Sequence, residues 1–288
     1  VSQISPLMRF LKYPLTGSAR VQFSTKGFLA RPRVRANLQA RRIKRMDLPT
    51  ADIDGQVVYD NGALDFDRVT IKSETGSIGL KGRIGLTRPG RPIDLRINAR
   101  QFELASLPFK EQVSGRAALD VHVTGKMRKP KVSGRGRIGR PCWKTQYGQK
   151  PLCFRRIEVK GNWMGDAFRI GSLRIRDNRN TLVDLSGQGS VSKRSFTGDL
   201  KLKGLSASLV NHFVPEPLPI RGKLSAQLKL AGRLKAPSGS GKIQIHGGGF
   251  KEYELGQAEF EITADKRRAR LTGRFLDSFT LRADIPVI

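Results

Sequence analysis

Residues 17–27 read GSARVQFSTKG, residues 115–125 read GRAALDVHVTG, and residues 222–232 read GKLSAQLKLAG. Each stretch opens and closes on glycine, and a proline follows the closing glycine by five residues. The triplets are Gly17, Gly27, Pro32; Gly115, Gly125, Pro130; and Gly222, Gly232, Pro237, with starts 98 and 107 residues apart. A fixed internal spacing that returns at long intervals is the mark of a repeat architecture. Between the glycines, the even offsets include Ala19, Val21 and Phe23, then Ala117, Leu119, Val121 and Val123, then Leu224, Ala226, Leu228 and Leu230. These are apolar. The odd offsets are mostly polar or basic, as in Arg20, Gln22, Asp120, His122, Lys223 and Lys229. A period of two puts the two sets on opposite faces of a β-strand, one dry and one wet. The glycines are expected to free the backbone for turns and the prolines to stop the ladder.

Outward from these strands the first two copies continue to match. Leu64, Phe66, Val69 and Ile71 share their spacing with Phe168, Ile170, Leu173 and Ile175, and the step of three inside a two-residue period predicts a bulge. A leucine two residues before a glycine closes each copy: Leu80 and Gly82, Leu185 and Gly187, Leu271 and Gly273. The distance from the proline to that last glycine is 50, 57 and 36 residues, so the third copy is expected to lack a hairpin. Asp60, Asn61 and Gly62, between Val57, Tyr59 and Leu64, Phe66, form a strong hairpin signal, because Asn and Gly tolerate positive φ. Gly165 with Asp166, and Pro89 with Gly90, give similar punctuation, which predicts strands of about six to nine residues. Helix is scarce. Ile4, Leu7, Met8 and Leu11 share one helical face, as do Leu205, Leu209, Val210 and Phe213 behind a Ser206 cap, so short helices are expected at repeat junctions.

The chain has 288 residues, of which 38% are apolar, a low share for a compact globule and adequate for sheets wet on one side. Lys and Arg outnumber Asp and Glu by 54 to 24, for a formal charge of +30. A field of that sign attracts anions, and it also follows simply from basic residues filling a solvated face. No stretch approaches the roughly 18 to 20 apolar residues of a membrane span, and there is no secretory signal. The chain starts at Val1 and ends on an apolar run from Ile285 to Ile288, and an anchor is expected outside this stretch. Cys142 and Cys153 flank a short segment and can meet across a hairpin in an oxidising compartment; two unpaired apolar residues is the other reading. No metal site is expected, since no further cysteine or clustered histidine is present.

Catalytic signatures are weak. Gly134, Gly136 and Gly139 match a dinucleotide fingerprint with Glu158 downstream, but Pro141 follows at once and no helix intervenes. Gly239, Ser240, Gly241 and Lys242 lack the spacing of a phosphate loop. His122, His212 and His246 are scattered, with no nucleophile or paired carboxylates beside them. No enzyme activity and no cofactor are expected. Nucleic-acid binding is the competing reading, opposed by an aromatic content of 7% and by basic residues spread over many strands. Two tryptophans and four tyrosines are too few for the aromatic girdles of an outer-membrane barrel.

The alternating strands, opened by an apolar residue two before glycine (Leu15, Val113, Ile220) and closed by Leu, x, Gly, resemble the AsmA-like superfamily, and within it the TamB family of translocation and assembly module subunits. The resemblance covers nearly the whole chain and is one of periodic pattern, without invariant chemical residues. The +30 charge departs from what is expected of that family. The resemblance implies an all-β fold, an elongated and curled antiparallel groove of about three tandem repeats: residues 1–112, 113–219 and a shortened 220–288. It implies anchoring in the inner membrane through a segment outside this stretch and extension through the periplasm. The implied function is phospholipid transfer to the outer membrane and support of outer-membrane protein assembly. The implied partners are phospholipid acyl chains, an outer-membrane assembly protein of the BamA/TamA type, and the rest of a longer chain. The even-offset apolar residues would then line the groove. Independently, a sheet with one apolar face must cover it or offer it to a ligand, and no run of helices is present to form a cover. Small residues such as Ala19, Ala117 and Ala226 would leave room for an acyl chain, at about 0.8 kcal/mol per buried CH₂. About 24 strands at roughly 4.8 Å each would reach on the order of 110 Å.

Overall fold

The structure, a computed structural model, describes residues 2–3, 16–28, 31–44, 50–87, 90–104, 113–145, 147, 151–177, 180–212, 214–233, 236–265, 268–275 and 279–286. The fold is all-β, and its strands make one antiparallel sheet that is not closed. The described chain groups into two compact units, residues 1–139 and 140–288.

The first unit contains β1 (Ser2–Gln3), β2 (Thr16–Lys26), β3 (Arg33–Lys44), β4 (Ala51–Asp60), β5 (Ala63–Ser73), β6 (Gly76–Gly85), β7 (Pro92–Glu103), β8 (Val113–Lys126) and most of β9 (Lys129–Trp143). Each strand pairs with its chain neighbour. Asn61 and Gly62 both take positive φ, 47° and 72°, as the primed turn between β4 and β5 requires. The spacing of three in β5 is a true bulge: pairing with β6 slips between Phe66 and Val69.

The second unit holds the end of β9, then β10 (Leu152–Cys153), β11 (Arg156–Met164), β12 (Ala167–Asp177), β13 (Asn180–Ser190), β14 (Ser195–Ser206), β15 (Ile220–Arg233), β16 (Ala236–Phe250), β17 (Tyr253–Ala264), β18 (Arg268–Phe275) and β19 (Phe279–Pro286). The matching bulge lies in β12, where pairing with β13 slips between Ile170 and Leu173. Cys142 and Cys153 are direct cross-strand partners and are bonded, with Cα atoms 4.1 Å apart. Trp143 packs against Phe154 beside this bridge, ring centroids 5.5 Å apart.

The repeat glycines share backbone geometry as well as spacing. The opening members Gly17, Gly115 and Gly222 have φ of 137°, 136° and 118°, and the closing members Gly27, Gly125 and Gly232 have 97°, 96° and 106°. These values lie where side-chain-bearing residues are strained, which explains why glycine returns at both places. At Gly17 an added Cβ would also meet the Ile43 side chain and the carbonyls of Arg41 and Arg42. Two of the repeat boundaries coincide with strand starts, Val113 for β8 and Ile220 for β15.

Several expectations need correction. The prolines do not stop the ladder: Pro32 directly precedes β3, while Pro130 and Pro237 sit second in β9 and β16, and Pro237 pairs with Gly232. Proline is tolerated there because pairing has only begun. Among the described residues there are 19 strands, fewer than 24; β1 and β10 are two residues long and the others run 8 to 15 residues. Leu271 and Gly273 do not repeat the closing strand of the first copy. β6 is the fifth strand counted from β2, whereas β18 is the fourth counted from β15, so in an antiparallel series it runs the opposite way relative to the opening strand of its copy. The helix after Ser206 is a 3-10 helix, Ala207–His212, and Leu205 still belongs to β14; the Ser206 hydroxyl meets that of Ser208 at 2.7 Å. The expected helix through Ile4, Leu7, Met8 and Leu11 lies outside the described residues, as do Leu15, Pro89 and Phe213.

Candidate functional site

The sequence-predicted apolar positions are gathered by strand pairing into rows that cross the sheet. Directly paired residues project from the same face, so each set of Cα partners extends a row by one strand. In the first unit, Val21 pairs with Leu38, which pairs with Gly55, and the row continues through Val69, Leu80, Ile97 and Val121. A second row runs Ala19, Ala40, Ile53, Ile71, Ile78, Ala99, Leu119, and a third Phe23, Ala36, Val57, Phe66, Gly82, Leu95, Val123. Ala117 extends the face through its pairing with Phe102. The seven predicted residues of β2 and β8 thus mark the two ends of one apolar surface.

In the second unit the pattern returns. Val159, Leu173, Leu185, Leu200, Leu228, Gly241, Ile262 and Leu271 form one row. Ile157, Ile175, Val183, Leu202, Ala226, Ile243, Phe260 and Gly273 form the next. Leu224 pairs with Leu205 and Ile245. Leu230 lies in a row of a different kind, Gly161, Ile170, Gly187, Gly198, Leu230, Gly239. Phe168 and Phe196, near-parallel at 6.4 Å between centroids, lie over this glycine stretch: a Cβ at Gly187 or Gly198 would strike Phe196, and one at Gly189 would strike Phe168. Aromatic rings covering strand glycines replace packing that the missing side chains cannot give.

These rows are not a sealed core. Among the described residues the buried hydrophobics are Val58, Ala63, Leu152 and Ala226. Most row residues are half-buried, while Phe23 is 70% exposed, Leu119 42% and Val21 41%. Ala226, at 4%, is the exception among the predicted positions. Strand alternation leaves the other face polar, where charge is partly neutralised by cross-strand pairs. The Arg41 guanidinium grips Asp54 with two hydrogen bonds of 2.7 and 3.0 Å, which hold that carboxyl below its ordinary value. Hydrogen bonds from Arg135 and then Asn98 do the same for Asp120, and those from Ser190 and Ser192 for Asp166. His122 is 2.7 Å from Asp94, and His212 lies 3.3 Å from the Thr145 hydroxyl.

The weak motifs resolve as strand. Gly134, Gly136 and Gly139 belong to β9, and Gly239 to Lys242 to β16, so neither forms the strand-to-helix loop that a phosphate needs. His122, His212 and His246 fall on β8, the 3-10 helix and β16. The row members on strands between the glycine strands, such as Leu38, Ile53, Leu80, Leu200 and Ile243, were readable from their own alternation and are joined to the predicted set only by register. No helix among the described residues is long and apolar enough to cross a membrane. No family model matches the chain, and no solved structure is detectably similar to it.

Proposed function

We propose that this chain is a lipid-binding and lipid-transfer module of the AsmA-like kind, nearest the TamB family, which takes phospholipid acyl chains on its apolar face without a catalytic step. The observation that carries this reading is the set of apolar rows that run strand to strand while remaining half-exposed. An apolar surface of that extent is normally covered by a second layer, and acyl chains are the ligand chemistry that matches a long, featureless aliphatic strip. Because neighbouring row positions offer similar burial, about 0.8 kcal/mol per CH₂, a chain can move along them without a deep trap. Operation in the periplasm between an inner-membrane anchor and an outer-membrane assembly protein belongs to the same reading, and the disulfide fits an oxidising compartment.

The test is mass spectrometry of lipids copurifying with the chain, combined with photocrosslinking from Val21, Leu119 and Leu228. Phospholipid in the preparation and acyl adducts at all three positions are expected. Lipid-free protein without adducts, together with tight and salt-sensitive DNA binding, would overturn the proposal in favour of a basic polyanion-binding repeat.

A further inference from the structure

The polar face of the second unit carries a depression of about 760 Å³ over β14, β15 and β16. Its charged and amide side chains come from the alternate positions opposite the apolar rows: Asp199, Lys201 and Lys203 on β14, Gln227 and Lys229 on β15, and Lys242 on β16; Leu200, Leu202, Ala226 and Leu228 between them also contribute to the lining. Four ammonium groups therefore face one carboxylate. Register fixes their arrangement. Lys201 pairs with Gln227, which pairs with Lys242, so two lysines flank one amide across three strands, and Asp199 is opposite Lys229. Lys201 and Lys203 are two residues apart on one strand, roughly 6.6 Å, and strands are about 4.8 Å apart, so the cations span more than one small anion.

A neighbouring depression on the same face gives the contrast. Of about 740 Å³, it is lined by Lys242 and Arg274 together with Glu259 and Glu261, and its charges balance. Lys242 lies 3.6 and 3.4 Å from those two glutamates and is thus drawn to that side. Lys201, Lys203 and Lys229 form no ion pair with a carboxylate among the described residues. Three ammonium groups against the single carboxylate of Asp199 leave an excess of positive charge, and a multivalent anion relieves it.

We propose that the lysine-lined depression over β14–β16 is a binding site for an anion bearing two or more phosphate groups, with Lys201, Lys203 and Lys229 as its principal contacts. The ammonium groups supply charge-assisted hydrogen bonds, and the Gln227 amide and Ser225 and Ser240 hydroxyls, which also line the depression, supply neutral ones. The site is on the face opposite the apolar rows and does not rest on the lipid reading. Phosphate of this kind reaches a protein as a free polyphosphorylated solute or as a lipid headgroup.

The experiment is calorimetric titration of the full chain with tripolyphosphate, comparing the wild type with the K201S/K203S/K229S variant. A second variant, R20S/R35S/K72S, removes the same charge from the polar face of the first unit. Binding about tenfold weaker in the first variant and unchanged within about twofold in the second is expected. Equal weakening in both variants, or wild-type binding no tighter than for a single inorganic phosphate, overturns the site. Flotation with vesicles containing cardiolipin, whose headgroup bears two phosphates, or with phosphatidylcholine vesicles then separates the sources. A flotation loss specific to cardiolipin and to the K201S/K203S/K229S variant supports a headgroup ligand; unchanged flotation beside lost tripolyphosphate binding supports a free solute. Thermal melts of all three proteins verify that folding is retained.

Discussion

In residues 1–139 the apolar row through Val57 and Phe66 is mostly aliphatic and aromatic, whereas the row through Ile170 and Leu230 in residues 140–288 is largely glycine roofed by Phe168 and Phe196. The first arrangement leaves side chains standing from every second strand position. The second lays two rings flat on the backbone and fills the space from above. Both satisfy the same demand, an apolar surface on one side of a sheet, with different depth. Phe23 and Val21 on β2 stay largely accessible, while Ala226 on β15 is almost sealed between Leu202 and Ile243. The first unit therefore exposes its apolar surface near β2, and the second is closest to a conventional core near β15.

The largest expected effect breaks that contrast directly. Ala226→Asp puts a carboxylate into the sealed position and is expected to cost about 3–5 kcal/mol, since its cross-strand partners Leu202 and Ile243 supply no counter-charge. Val21→Asp, at a position open to water, is expected to cost only about 1 kcal/mol. Urea unfolding of both variants measures the difference, and equal losses would show that the two faces are equally buried. Next comes the bridge at the start of the second unit. The double change Cys142→Ser, Cys153→Ser removes a short-loop crosslink and should cost about 2–3 kcal/mol, with reductant lowering the melting temperature of the wild type but not of the variant.

A smaller effect sharpens the comparison of floors. Phe196→Ala uncovers Gly187 and Gly198 and ends the stacking with Phe168, for an expected loss of about 1–2 kcal/mol. Gly187→Ala in that background should cost still more, because the Thr197 carbonyl stays in the way of the new methyl after the ring is gone, and a recovery would contradict that close approach. The smallest effect concerns the polar face. Asp54 is held below its ordinary value by Arg41, so its contribution is present above the usual carboxylate range and is lost as pH falls through the lowered value. The melting temperature of Asp54→Asn should be slightly below wild type at neutral pH and converge with it in acid.

Much of this architecture could be read from residue order, and the limits have physical causes. The glycine-bounded strands, the Asn61–Gly62 turn and the β5 and β12 bulges follow from local rules of φ and alternation. Prolines 130 and 237 were misplaced because the same missing N–H that ends a ladder is harmless where one begins. The closing strand of the third copy rests on Leu271 and Gly273 alone, and a leucine and a glycine two apart carry no strand direction. Val58, only 8% exposed on the polar face between Arg35 and Asp65, interrupts the alternation of Val57 and Tyr59 in a way that only pairing explains. The lysine depression needed register too: Lys201 and Lys242 are forty-one residues apart in sequence and are brought together by two ladders.

The pairing of nearly every strand with its chain neighbour also sets how the chain can be made and undone. Contacts of this kind have small sequence separation for their size, so each hairpin closes soon after its second strand is available and offers an edge to the next. A polypeptide delivered N-terminus first can thus be consolidated strand by strand during delivery, with no wait for a distant partner. Pulled from β19, it should yield in steps of one strand, with the Cys142–Cys153 link keeping the residues between them from being drawn out.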